Sequence, residues 1–189
     1  MIKIGILGDI GSGKTFVANN FGYPVFSADK EVNYLYKKDK TVYKKIKKVL
    51  PKYFNSFPIN KNDVTFAILD KKNNLSKIVR IIHLVVRKRL NVFLKKNRNK
   101  KIVILDIPLL LENKINKKND VLVFIQSKRT DISRKLKKRK NYNQRLFNVF
   151  RKIQIPLIRK KNKSRFIIKN NFTKKSVKKD IKNILEKIL

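Results

Sequence analysis

The sequence predicts an α/β fold, a five-stranded parallel sheet flanked by helices. Five short, near-continuous apolar runs of strand length alternate with stretches whose apolar residues recur at helical spacing. In addition, all five glycines (Gly5, Gly8, Gly11, Gly13 and Gly22) fall in the first 22 of the 189 residues, around and just after the first run.

The first strand is IKIGIL, residues 2–7, and it runs into the glycine-rich stretch. Thr15–Phe21 reads as a short helix closed by Gly22, because a helix C-terminus favours a residue tolerant of positive φ. YPVFSAD (23–29) is the second strand-like run. Lys30 to about Leu50 is helical and basic, Pro51 breaks it, and the region to Asp63 is loop-like with Pro58. Residues 64–96 read as one helix, with Leu75, Ile78, Val79 and Ile82 at helical spacing. KIVILDIP (101–108) and VLVFIQ (121–126) have the continuous apolar character of strands covered on both faces. Basic helices follow at about Thr130–Lys140 and Gln144–Ile153, the latter limited by Pro156. FIIK (166–169) is the last strand, and Thr173 is placed to cap a final helix carrying Val177, Ile181, Ile184, Leu185 and Ile188. The Lys-rich stretches KKNRNKK and RKKNKSR read as connectors or solvated faces.

Composition narrows the function classes. The chain has no cysteine, which excludes disulfides and thiolate metal sites and fits a reducing compartment. No apolar run approaches the roughly 20 residues of a membrane span, and MIKIGILG leaves no room for a signal peptide, so a cytoplasmic protein is expected. Fifty Lys and Arg against 12 Asp and Glu give a net charge of +38. With abundant Lys, Asn, Ile and Phe and only three alanines (Ala18, Ala28 and Ala67), this pattern fits A/T-rich codon usage better than selection for nucleic acid. The expectation is weak, salt-sensitive binding to polyanions and no specific nucleic-acid partner. Acids are scarce on this background, so Asp9, Asp29, Asp106 and Glu112, beside apolar runs, stand out as functional candidates.

Gly8-Asp9-Ile10-Gly11-Ser12-Gly13-Lys14-Thr15 fits G-x-x-x-x-G-K-[ST], the phosphate-binding loop, between a strand and a helix. Here the backbone is the ligand. Successive N–H groups wrap a phosphate, and side chains larger than hydrogen would block the approach. Gly8, Ile10, Gly11, Ser12, Gly13, Lys14, Thr15 and Phe16 are therefore the expected ATP-binding residues, with Lys14 on the β and γ phosphates and Thr15 on Mg²⁺. Asn60-Lys61-Asn62-Asp63 fits the guanine-reading N-K-x-D, but nothing after Gly22 supplies the glycine of a switch, and the match reads as an accident of composition.

SADK (27–30), IIHLVVRK (81–88), LDIPLLLE (105–112), QIP (154–156) and FIIKNN (166–171) follow in an order and spacing that resembles dephospho-CoA kinases, small P-loop kinases related in fold to nucleoside monophosphate kinases. The resemblance spans nearly the whole chain, and D-I-P-L-L-x-E is its most discriminating element. It implies a P-loop NTPase three-layer sandwich in one domain: a core of residues 1–29, 101–127 and 164–189, a helical acceptor-binding region of about 30–100, and a small lid of about 128–160. The implied activity is transfer of the γ-phosphoryl of ATP to the ribose 3′-hydroxyl of dephospho-CoA. Implied catalytic residues are Lys14, Asp29, which accepts or orients the hydroxyl proton, and Arg139 of the lid. His83 and Arg87, one turn apart, would grip the acceptor's phosphates. Pro108, Leu109 and Glu112 would shape its pocket, and Asp106 would hold the acceptor or, with Thr15, position Mg²⁺.

The chain departs from the family pattern at Asp9, Ser27, Leu84, Ile132, Lys135 and Lys169. None of these removes a group the chemistry requires. Two other readings remain open: a kinase for another small acceptor, such as a nucleoside or nucleoside monophosphate, and a basic nucleic-acid-binding protein that uses ATP as a ligand. A monomer is the favoured state.

Overall fold

β1 (Ile2–Gly8) lies at the centre of the sheet, between β3 (Ile102–Asp106) and β4 (Val121–Gln126). β2 (Val25–Ser27) and β5 (Phe166–Lys169) complete the order β2-β3-β1-β4-β5, and every pair is parallel. Strands covered on both faces need apolar residues at successive positions, and all five residues of β3 are buried. In this computed structural model residues 1–139 and 142–189 are described. Lys140, the expected last residue of a basic helix, lies outside them, and the helix itself ends earlier, at Lys137.

The chain divides into two compact units. The first, Met1–Ser27, Lys96–Tyr142 and Phe150–Leu189, contains the sheet. Its core joins Ile4, Ile6, Ile104, Val123 and Ile168 of the strands to Val17, Ala18 and Phe21 around α1 (Lys14–Asn19) and to Val177, Ile181 and Ile184 of α9 (Lys174–Ile188). The second, Ala28–Lys95 and Asn143–Val149, is helical: α2 (Ala28–Lys38), α3 (Lys40–Val49), α4 (Lys61–Asp70) and α5 (Lys72–Lys96) supply most of it. α6 (Arg129–Lys137), α7 (Gln144–Lys152) and α8 (Leu157–Asn162) follow β4. Among the described residues no helix is long and apolar enough to cross a membrane.

Several boundaries differ from the sequence expectations, each for a local reason. The helix expected over 30–50 is two, because the Asp39 carboxylate accepts a hydrogen bond from Val42 N–H (2.9 Å) and restarts the helix as its N-cap. The helix expected over 64–96 is also two, α4 and α5, with an extended Lys71 between them. Buried Asn74 donates to the Ala67 carbonyl (2.8 Å), which the end of α4 leaves without a helical partner. Asn60, in the sequence that imitates a guanine reader, is the N-cap of α4. α1 ends at Asn19, short of the expected Phe21, as Asn20 Nδ2 takes the Phe16 carbonyl (2.8 Å). Thr173 stands at the N-cap of α9 without the expected side-chain hydrogen bond, and its hydroxyl instead donates to Asn171 Oδ1 (2.8 Å). Asp29, expected to end a strand, falls in the first turn of α2, where Asp29 and Glu31 complement the helix dipole.

Asp39→Ala removes the α3 cap and is expected to lower stability by about 1 kcal/mol, read from urea denaturation.

Candidate active site

In an open parallel sheet, ligands gather beyond the C-terminal ends of the strands. There the loop from Gly8 to Gly13 leaves β1, and Asp106 ends β3 in register with Ser27 of β2. The loop is held by its neighbours on the sheet. The Ser12 carbonyl accepts from Asn170 Nδ2 (2.8 Å) and from Ser127 Oγ (2.9 Å), groups just beyond β5 and β4. Asn170 is buried and itself fixed, its N–H on the Gln126 carbonyl (2.8 Å) and its Oδ1 on Phe172 N–H (2.8 Å). Gly13 shows why this loop keeps glycine. Its φ is +86°, and an added Cβ would collide with the Asn170 amide and sit 2.9 Å from the Phe172 ring.

α1 begins at Lys14 with no side-chain cap, which leaves its first N–H groups to an anion. Lys14 Nζ lies over the loop, donating to the carbonyls of Asp9 (2.7 Å) and Gly8 (3.2 Å). The Asp9 carboxylate turns back to accept from Ile10 N–H (2.7 Å), so the amide of Ile10, one of the expected ATP-binding residues, serves the loop's own side chain. Thr15 Oγ1 donates to Asp106 Oδ2 (2.6 Å), which brings the expected metal-ligating pair together, and Phe16 follows on α1, half-buried.

The model of the family described as dephospho-CoA kinase matches residues 2–176. The chain belongs to the dephospho-CoA kinase family. A dephospho-CoA kinase from Wolbachia sp. subsp. Brugia malayi is 30% identical over 190 residues, covering 98% of this chain and 97% of its own. A crystal structure from Thermus thermophilus superimposes with a TM-score of 0.78 at 20% identity, over 100% of this chain and 98% of that one. A dephospho-CoA kinase from Campylobacter jejuni does so with a TM-score of 0.65 at 18% identity, over 98% and 96%. At these identities the two superpositions speak for the fold.

As a member of this family of ATP-using kinases, the chain offers further candidates in both units. In the first, Pro108 and Leu109 follow β3, half-buried, while Arg139 is exposed just beyond α6. The Glu112 carboxylate points inward, where Oε1 pairs with Lys160 Nζ (2.8 Å) and accepts from Ile155 N–H (3.1 Å). Lys160 is buried, a correction to the reading of RKKNKSR as a solvated stretch. In the second unit, Asp29 is exposed on α2, two residues beyond β2, and α5 carries half-buried His83 one turn before exposed Arg87. Burial, aided by the Arg87 charge, holds the His83 pKa below its usual value, so the ring is neutral at pH 7.

Sequence reasoning missed three supports. Glu31 Oε2 pairs with Arg89 Nη1 (2.9 Å) and ties the helix of Asp29 to that of His83 and Arg87, with Arg89 also over the Tyr34 ring (4.3 Å). Asn170 clamps the loop, and Lys135 Nζ lies 5.2 Å from the centre of the Phe172 ring beside it. Each carried a partial signal, Glu31 as one of the few acids, Asn170 within FIIKNN and Lys135 as a departure from the family pattern, but none revealed its contact.

Among the described residues no cluster of three or more His, Cys, Asp or Glu is placed to hold a metal. The donor set at the loop is one hydroxyl and one carboxylate, which suits Mg²⁺, a cation that keeps waters and takes its remaining ligands from phosphates.

Asp9→Asn removes a negative charge from the loop. We expect ATP to bind about threefold more tightly by calorimetry at low salt, and the gain to shrink as salt rises. Arg87→Leu is expected to move the His83 pKa upward toward 6.5, read by NMR titration of the single histidine.

Proposed function

We propose that this chain transfers the γ-phosphoryl group of ATP to the ribose 3′-hydroxyl of dephospho-CoA, giving CoA and ADP, the final step of coenzyme A biosynthesis. The observation that carries the reading is the juxtaposition at the end of β1 and β3. A phosphate loop and the Thr15–Asp106 pair stand where the D-I-P-L-L-x-E segment begins, in a chain of this family.

Each residue then has a physical role. Main-chain N–H groups of Gly11 and of Gly13 to Thr15 cup the phosphates, with Ser12 N–H held on the Asp9 carbonyl (3.2 Å), and Lys14 draws charge off the β and γ oxygens. Asp29 accepts or orients the 3′-hydroxyl proton; in a loose phosphoryl-transfer transition state its placement matters more than its basicity. Arg139 offers its guanidinium to the transferring group from the lid. Arg87 supplies positive charge to the acceptor's diphosphate, whereas neutral His83 contributes a hydrogen bond. Pro108 and Leu109 wall the acceptor pocket, and Glu112 shapes it. Mg²⁺, when bound by Thr15 and Asp106, neutralises phosphate charge. The proposal places a monomer in the cytoplasm, with polyanion binding weak and salt-sensitive.

An ADP-release assay over an acceptor panel tests this reading. Dephospho-CoA is expected to outcompete nucleosides and nucleoside monophosphates; preference for a nucleoside monophosphate overturns the assignment. Lys14→Ala and Asp29→Asn are each expected to lower kcat/KM by roughly 10²-fold or more without changing the melting temperature. Near-normal turnover in Asp29→Asn would reduce Asp29 to an acid at a helix start.

A further inference from the structure

Lys160 is the one buried basic residue among those described, in a chain with 50 Lys and Arg. Only 1% of its side chain is exposed, so it cannot touch a ligand directly. Its ammonium meets Glu112 Oε1 (2.8 Å) and Gln154 Oε1 (3.1 Å), and the same Glu112 oxygen accepts from Ile155 N–H (3.1 Å). Glu112 Oε2 is buried and has no hydrogen-bond partner among the described residues. Burying two charges costs desolvation that attraction rarely returns in full, and well-packed apolar side chains commonly serve stability as well or better. Such a pair is therefore best explained by what it places.

It joins a segment without a regular hydrogen-bond ladder of its own to a short connector and the helix that follows it. Residues 108–114, which contain Pro108 and Leu109, form a series of turns after β3. They are anchored on the sheet by Leu110, fully buried where Gly5 lets it approach; a Cβ on Gly5 would sit 2.5 Å from Leu110 Cδ2. Glu112 is the anchor at the other end. Its partners come from the connector Gln154–Pro156 and from α8, where the Lys160 N–H takes the Pro156 carbonyl (3.2 Å) and Ser164 Oγ takes the Lys160 carbonyl (2.8 Å). Pro108 and Leu109 lie between β3 and Leu110, and the turn that carries Glu112 is bonded back to them, since Asn113 N–H takes the Leu109 carbonyl (3.0 Å).

We propose that Lys160 is a positioning residue. Through its buried ion pair with Glu112 it locks the 108–114 turns to the base of the lid and so sets the wall that receives the acceptor. This rests on the acceptor-pocket reading of Pro108 and Leu109. Three consequences follow: the lock acts on acceptor binding more than on ATP, it acts at a distance, and an apolar replacement restores stability without restoring placement.

The experiment compares the wild-type chain with Lys160→Met and with the double variant Glu112→Leu/Lys160→Met. Lys160→Met leaves a buried carboxylate unpaired and is expected to melt lower. The double variant removes both charges and is expected to melt near the wild type. In the double variant the acceptor KM is expected to rise about tenfold, with the ATP KM within about twofold of the wild type. Amide hydrogen exchange is expected to quicken in 108–114 and 154–162 and to stay unchanged in the phosphate loop. Kinetics use the acceptor that the wild-type chain phosphorylates best, so a wild type inactive on dephospho-CoA defeats the functional reading and leaves this test standing. A folded double variant with an unchanged acceptor KM, or with both KM values rising together, overturns the positioning role. Unchanged exchange in 108–114 overturns it equally, and this reading needs no substrate.

Discussion

The Ser12 carbonyl, held by Asn170 and Ser127, is the constraint on which the site depends. A phosphate loop works by presenting N–H groups inward, which requires its carbonyls to be turned elsewhere and satisfied there. Two side chains from the ends of neighbouring strands do this for Ser12, and the parallel register of β1, β4 and β5 brings them to it. Gly13 must then be glycine, because the clamp occupies the space of its Cβ. The start of α1 follows from Gly13, and with it the positions of Lys14 and Thr15 and the contact of Thr15 with Asp106.

The charge of the chain acts on a different scale. A net charge of +38 raises the local concentration of anionic nucleotides and acceptors, an effect that salt screens. The few acids set against this background act locally. Asp106 fixes a hydroxyl, Asp39 caps a helix, Glu31 ties α2 to α5, and Glu112 holds Lys160. Asp9 has an opposing effect, placing negative charge in a loop that binds anions while satisfying its own neighbour's amide.

Much of this was legible in the sequence where one physical demand leaves a single residue type. Strands covered on both faces must be apolar throughout, so β3 and β4 were visible, and the shorter runs of β1, β2 and β5 stood out against the basic background. The loop approaches a phosphate by its backbone, so its glycines stood out. An acid at the end of an apolar run, such as Asp106, was equally conspicuous. Features that depend on tertiary partners were not visible. The break at Lys71 rests on an asparagine side chain that reaches back to Ala67, and nothing local distinguishes Asn74 from the other asparagines. Lys160 looks like any lysine in RKKNKSR until α8 turns it inward toward Glu112. Asn170 was noted only as part of a motif, since its role lies in contacts with Ser12, 158 residues away in the chain.

The central claim, that neighbouring strands impose the shape of the phosphate cup, is tested most directly by calorimetric titration of ATP into Asn170→Ala. Loss of one clamp bond on the Ser12 carbonyl is expected to weaken ATP binding roughly tenfold, while the melting temperature changes by only a few degrees. ATP affinity equal to that of the wild type in a folded Asn170→Ala protein would contradict it.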